Sequence, residues 1–289
     1  MDTSGGSGPP PTGREQLAAE LRRLRDLAGV SGRDLASRIG VSQSKVSRIE
    51  SGAIVPSLPE VTAWGKELGA PAETQSRLGA LIELAYNEVH PWSSALRRGN
   101  LQDGLQEEES IATRIQVFQP SVVPGLLQTA EYARRVIAMF HQQYSDQDPV
   151  AEIQSRLQRQ TVLYDEDHHF DFLITEAALR WRPGPVKLLL AQLDRIASIS
   201  TLENVSVGLI PLAAEATTLT THGFVIYEGE EQNAWITVET IHADMKVGAR
   251  EHTEIYRSRW SLLCQMALFG DDAREFLSSI VADLRASPA

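Results

Sequence analysis

Ser31 to Gly52 reads SGRDLASRIGVSQSKVSRIESG, and its apolar spacing predicts two short helices joined by a tight turn. Ser31 is a good N-cap, and Asp34, three positions on, stands where a capping-box partner would. Leu35 and Ile39 are four apart and share one helical face. Ala36 beside them is small enough for a second helix to cross closely. Gly40 can enter the left-handed region and stop the helix, and Ser42 can cap the next one at once. In that next helix Val46 and Ile49 point inward, while Gln43, Ser44, Ser47 and Arg48 fall on the opposite face.

The outward set offers hydrogen-bond donors and positive charge with no apolar anchor. An amide can read adenine and a guanidinium can read guanine. The N-terminus of the helix favours phosphate. We therefore read the stretch as a binder of double-stranded DNA. Gln43, Ser44 and Arg48 are expected at base edges, and Lys45 at bases or phosphate. Arg33, Ser42, Ser47 and Ser51 are expected on the DNA backbone. The competing reading is a plain helical hairpin with a solvated polar face.

On either side, residues 1–13 (MDTSGGSGPPPTG) lack the apolar content for a core and read as a disordered arm. A first helix follows from about Arg14 to Ala28, with Leu17, Leu21 and Leu24 at helical spacing. Ser57 and Glu60 read as a capping box for a fourth helix, Leu58 to Leu68, and a fifth runs from Pro71 to about Val89. The leading positions, spacing and glycines resemble the helix-turn-helix of the Cro/C1-type repressors, also called the XRE family. The resemblance lies in Leu35-Ala36, Gly40-Val41-Ser42, Val46-Ser47 and Glu50-Ser51-Gly52 and covers about a fifth of the chain. It implies an all-α, five-helix repressor-like domain over residues 14–89. It also implies that Arg25 on the first helix pairs with Glu50 at the end of the third.

The chain has 289 residues, enough for two domains, and a formal net charge of −11, which argues against indiscriminate nucleic-acid binding. Between Arg14 and Gly69, however, nine basic residues face seven acidic ones, so the acidity lies in the remainder. Cys264 is the only cysteine, so no intramolecular disulfide can form and a reducing, cytoplasmic setting is expected. No signal-peptide pattern opens the sequence, and no apolar run is long enough for a membrane span, so no membrane association is expected.

Residues 90–109 are polar, with Pro91, Gly99 and Gly104, and read as a linker. Ser110 to Phe118 could be strand or helix. Helices are expected over Gly125–His141, Val150–Tyr164 and Pro185–Ser198. Between them FDFLIT (Phe170–Thr175) and Val205–Ile210 read as strands, parallel because a helix connects them. Gly223–Tyr227 and Ala234–Glu239 form a hairpin, and two helices, Arg250–Leu268 and Asp271–Leu284, close the chain. The fold class is thus mixed, with an α+β domain over 110–285 whose mixed sheet is flanked by helices.

VVPGLLQTAEYAR at Val122–Arg134, followed by Arg156, Arg159-Gln160, Glu176–Arg180, Gln192-Leu193 and Asn204-Val205, resembles the C-terminal domain of actinobacterial helix-turn-helix regulators often described as antitoxin-like. The resemblance implies a regulator whose body senses or binds a partner, commonly a small protein encoded nearby. The residues themselves show no catalytic set. Asp165-Glu166-Asp167-His168-His169 could ligate a metal, but a solvated loop is the plainer reading, and neither metal nor other cofactor is expected. Glu176 and Arg180 can pair on one helical face or line a pocket with Arg156 or Arg159. A dimer on a palindromic operator is expected, held by the body. Trp260, Leu263, Met266, Leu268, Phe269 and Phe276 offer candidate surface for that dimer, with core packing as their competing use. The alternatives in other classes are a protein-interaction module and an enzyme with a DNA-targeting head.

Overall fold

Thr12 and Glu15 fix the start of the first helix. Glu15 accepts from the Thr12 amide at 2.8 Å, and the Thr12 hydroxyl accepts from the Glu15 amide at 3.2 Å. This capping box satisfies two amides that a helix start leaves open. The computed structural model describes residues 12–92, 101–144, 149–229 and 234–286. It divides into two compact units, Met1–Glu88 and Val89–Ala289, called here the head and the body. Residues 1–11 of the expected arm lie outside the described residues; Thr12 and Gly13 belong to the helix.

The head contains α1 (Gly13–Leu27), α2 (Gly32–Ile39), α3 (Gln43–Glu50), α4 (Leu58–Glu67) and α5 (Ala72–Tyr86). Each contributes its apolar stripe to one core, which holds Leu17 and Leu21, Leu35 and Ala36, Val46 and Ile49, Val61 and Trp64, and Leu78 and Ile82. Gly40 ends α2 with φ of +74°, a backbone that a side chain would strain. Asp34 does not complete a capping box. It accepts from the Ser31 hydroxyl at 2.7 Å, being one methylene shorter than the glutamates of α1 and α4.

The expected fifth helix stops at Tyr86, and Asn87–Pro91 forms an edge strand, β1. The linker expected over 90–109 is also corrected in its described residues. The Trp92 amide and indole donate to the carbonyls of His242 and Thr240, at 3.0 and 2.9 Å, and Leu101–Ile111 is a helix, α6. Gly104 and the run of acids disguised that helix.

In the body, β2 (Arg114–Gln119) is followed by a short 3-10 turn, α7 (Ala130–Tyr144) and α8 (Pro149–Arg159). Then come β3 (His169–Thr175), α9 (Glu176–Arg180), α10 (Val186–Ile199), β4 (Val205–Ile210), β5 (Phe224–Glu228), β6 (Ala234–Glu239), β7 (Ala243–Val247), α11 (Arg250–Gln265) and α12 (Gly270–Ala286). The sheet order is β1-β7-β6-β5-β2-β3-β4. β2, β3 and β4 are parallel, and β5, β6 and β7 continue antiparallel from β2, so the sheet is mixed.

Side chains alternate between the faces, as strands require. Phe170, Phe172 and Ile174 join a core with α10 and α12. Leu173, Phe118, Ile226 and Ile236 join a second core with Trp260 and Leu263 of α11. Trp260 and Leu263 are therefore core residues, and so, in part, are Met266, Leu268 and Phe276. Of the six candidate interface residues only Phe269 is exposed. Cys264 is a free, half-buried thiol on α11, and burial raises its pKa.

Gly13 shows how closely the head is packed. A Cβ there would lie 2.5 Å from the Leu84 carbonyl oxygen, whereas a Cβ on Gly79 would meet open space. Helix propensity alone favours alanine over glycine at both sites by about 0.5–1 kcal/mol. We expect Gly79→Ala to stabilise the head by that amount and Gly13→Ala to destabilise it by about 1–3 kcal/mol, because backbone must move. Urea denaturation of the two variants checks this; stabilisation by both would reject the close approach of α1 to α5.

Candidate nucleic-acid interface

The third helix has eight residues, too few to stand alone. It is fastened at both ends and along its inner face. The Ser42 hydroxyl accepts from the Lys45 amide at 3.1 Å. Val46 and Ile49 are buried against α1 and α2. At the far end Arg25 of α1 grips Glu50 with two hydrogen bonds, Nε at 2.5 Å and Nη2 at 2.8 Å, and donates from Nη1 to the Val30 carbonyl at 3.0 Å. Both side chains are mostly covered, 14% and 12% exposed, and the bonds to Glu50 hold Arg25 above its ordinary pKa.

That fastening presents the opposite face. Gln43, Ser44, Ser47 and Arg48 are exposed, and among the described residues their side chains make no hydrogen bond or ion pair. Arg33, on the first turn of α2, is exposed in the same way. Ser42 and Ser51 are exposed but already employed, Ser42 as the cap and Ser51 as a donor to the Arg48 carbonyl at 3.1 Å. Lys45 is different from the rest. Its ammonium lies 2.6 Å from Glu60 at the start of α4. Glu60 also accepts from the Ser57 amide at 2.9 Å. Burial alone would raise the Glu60 carboxyl, but the bonds from Lys45 and Ser57 outweigh it and hold the pKa below the usual range. Sequence spacing showed Glu60 as a cap partner only. Its second role, tying α3 to α4, needs the fold to bring the two helices together.

The other candidates go elsewhere. Glu176 and Arg180 pair at 2.7 Å, and Arg180 also reaches Asp283 at 2.7 Å, so this network ties α9 to α12. It does not join Arg156 and Arg159, which line a cavity in the body. Asp165 accepts from the Asp167 amide at 3.1 Å and lies 3.2 Å from His168.

The Arg25–Glu50 pair gives a stability prediction. Removing either partner strands a mostly covered charge, so Arg25→Ala and Glu50→Ala should each cost about 1–3 kcal/mol, more than the ~0–1 kcal/mol of an exposed pair. The double variant should cost clearly less than the sum of the two. Additive losses in urea denaturation would mean that the pair does not hold α3.

Residues 16–78 match a family model described as a helix-turn-helix domain. Residues 102–279 match a domain of unknown function, DUF5753. No curated protein matches the chain. Among solved structures, the chain is similar to the clp gene regulator ClgR from Corynebacterium glutamicum. That match has 32% identity and a TM-score of 0.22, and covers 24% of this chain and 92% of that one. A helix-turn-helix transcriptional regulator of the HTH_3 family from Vibrio cholerae matches at 23% identity, over 27% of this chain and 48% of its own, with a TM-score of 0.22. Bacillus thuringiensis PlcR, solved with the peptide PapR7 and DNA, matches at 16% identity, over 64% and 80%, with a TM-score of 0.19. Among the described residues no helix is long and apolar enough to cross a membrane. The chain belongs to the DUF5753 family, and it carries that domain after the helix-turn-helix of a DNA-binding transcriptional regulator.

Proposed function

We propose that this regulator is of the Cro/C1 (XRE) type and binds a palindromic operator as a homodimer in the cytoplasm. In this reading the body is antitoxin-like, does no chemistry, and answers to a small protein partner or ligand. The observation that supports the DNA contact is the outer face of α3. Four polar side chains stand there exposed, on a helix whose every apolar residue is turned inward. Gln43, Ser44 and Arg48 are the base-reading set. Arg33, Ser42, Ser47 and Ser51 hold the phosphates, Ser42 and Ser51 without leaving their capping roles. Lys45 must first leave Glu60, so it adds charge near the backbone and contributes least to base choice.

One such helix reads only a few base pairs. Two heads about 34 Å apart, one turn of DNA, would read both halves of a palindrome and multiply the affinity. The head's core takes the apolar stripes of its five helices and leaves Leu27, Leu58 and Leu84 exposed; in this reading the larger body is the source of the two-fold interface.

We expect Arg48→Ala to weaken operator binding by about 1–3 kcal/mol and to relax base preference at one position in each half-site. Arg33→Ala should weaken all sequences alike and flatten the salt dependence by about one unit of slope. Footprinting and salt titration check both; an Arg48→Ala protein with unchanged affinity and preference would overturn the assignment of α3. Size measurement of the full chain at operator-saturating concentration tests the dimer, and a monomer bound to a whole operator would reject it.

A further inference from the structure

We propose that the body holds a binding site for a small organic cation, an amine carried on an apolar skeleton. The site is a cavity of about 520 Å³ on the sheet face that α6, α7 and α8 also line. That volume falls in the range of small-molecule sites. Its apolar wall includes Val117, Val136, Ile137 and Phe172, and two aromatic rings, Trp92 and Phe140, which meet edge to face at 5.7 Å.

The polar groups decide what the cavity would take. Glu108, Glu109, Glu152, Glu239 and Asp244 line it, against the guanidiniums of Arg156 and Arg159 and the imidazole of His90. Three of the five carboxylates have a base of their own. Lys246 lies 2.8 Å from Glu108, and Arg159 lies 3.2 Å from Glu109. Arg156 lies 3.9 Å from Glu152 and donates to the Gln128 amide oxygen at 3.0 Å. Glu239 and Asp244 remain. They are direct cross-strand partners on β6 and β7, so their side chains share one face. Among the described residues neither has a base within ion-pair distance. Like charges placed opposite each other destabilise a sheet.

The surroundings aggravate this. Burial pushes the Glu239 carboxyl up against the pull of Arg156 and Arg159, and the Asp244 charge adds a smaller push in the same direction; the Glu239 side chain stays open to the cavity while protein surrounds it. Burial likewise raises Asp244, against the pull of His90 and Lys246. An ammonium between the two carboxylates would supply the absent charge and donate to both. The aromatic rings offer their faces or edges to the carbon skeleton, with cation–π attraction where the nitrogen approaches. An anion would add to a lining that already has surplus negative charge. A metal ion is disfavoured, because among the described residues no three His, Cys, Asp or Glu are grouped to hold one.

The test uses the full chain without DNA, so it stands apart from the operator reading. Hexylammonium, 1-hexanol and hexanoate, equal in length and different in charge, are titrated by calorimetry at constant ionic strength. Hexylammonium should bind at least about 10-fold more tightly than hexanol, and hexanoate more weakly than either. In Glu239→Gln/Asp244→Asn the preference for the amine over the alcohol should fall to about 2-fold, while hexanol binding is kept. The same variant should melt higher than wild type when empty, since a repulsion is removed, and this reports that it folds. Hexanoate binding most tightly would assign the cavity to an anion on the arginines. No binding by any of the three, or an amine preference unchanged in the variant, would overturn the proposal.

Discussion

A helix of two turns cannot hold itself together in water, and the head is arranged around that fact. Initiation is covered by the Ser42 cap, the inner face by Val46 and Ile49, and the C-terminal end by Arg25. Glu60 adds a fourth attachment through Lys45. Because these ties take Lys45, Val46, Ile49 and Glu50, rigidity and readout fall on different residues of the same eight. Gln43, Ser44, Ser47 and Arg48 are thereby held in place without being used. Preorganisation of this kind lowers the ordering cost of binding.

The body answers a different constraint. A sheet with helices over both faces must bury alternate residues on opposite sides, and β3 does so with Phe170, Phe172 and Ile174 one way and Leu173 the other. The alternation continues into β6, where Ile236 and Val238 enter the second core. On the first face, however, β6 and β7 present Thr237, Glu239, Asp244 and Lys246 beyond Trp235, which still packs on Tyr227. The face that is packed by α10 and α12 over β3 and β4 becomes polar beyond β5, and the cavity lies there.

Much of this was legible in the sequence because it is local. Cap residues, the left-handed glycine and the i, i+3 and i, i+4 apolar pairs of α2 and α3 lie within 22 residues, Ser31 to Gly52. FDFLIT and VSVGLI announce strands by short, mostly apolar runs rich in aromatic and β-branched residues, and they pair in parallel. What was missed has weak local signals. β1 carries Pro91 in a polar stretch and lies at a sheet edge, and α6 is acidic with Gly104 inside. β7 has only Met245 and Val247 as large apolar residues. Gly13 looked like the end of a flexible arm, although its lack of a side chain is what lets α1 approach Leu84. Of the cavity, the sequence offered only Arg156 and Arg159 as pocket candidates, beside Glu176 and Arg180; that Glu109 and Glu239 meet those arginines had no local signal, since they come from distant elements.

The two units also treat charge differently, and the difference bears on where binding energy can come from. In the head, the covered charges are matched by direct contact: Arg25 with Glu50, Glu60 with Lys45, and Glu20 with Arg23 and Arg77. Hydrogen bonding to these bases lowers Glu20 as it does Glu60. Around the cavity of the body, burial moves the charged groups the other way. Glu109 is pushed up to about 7 even with Arg159 beside it, and Arg156 is pulled down to about 10, first by burial and then by Arg159. Charges held in poor solvation cost stability unless something compensates them. A site that keeps such groups facing a cavity retains a free-energy difference between its empty and filled states, and only such a difference allows a ligand to shift a conformational equilibrium. The matched charges of the head offer no comparable difference, so a small effector has more to gain in the body than in the unit that reads DNA.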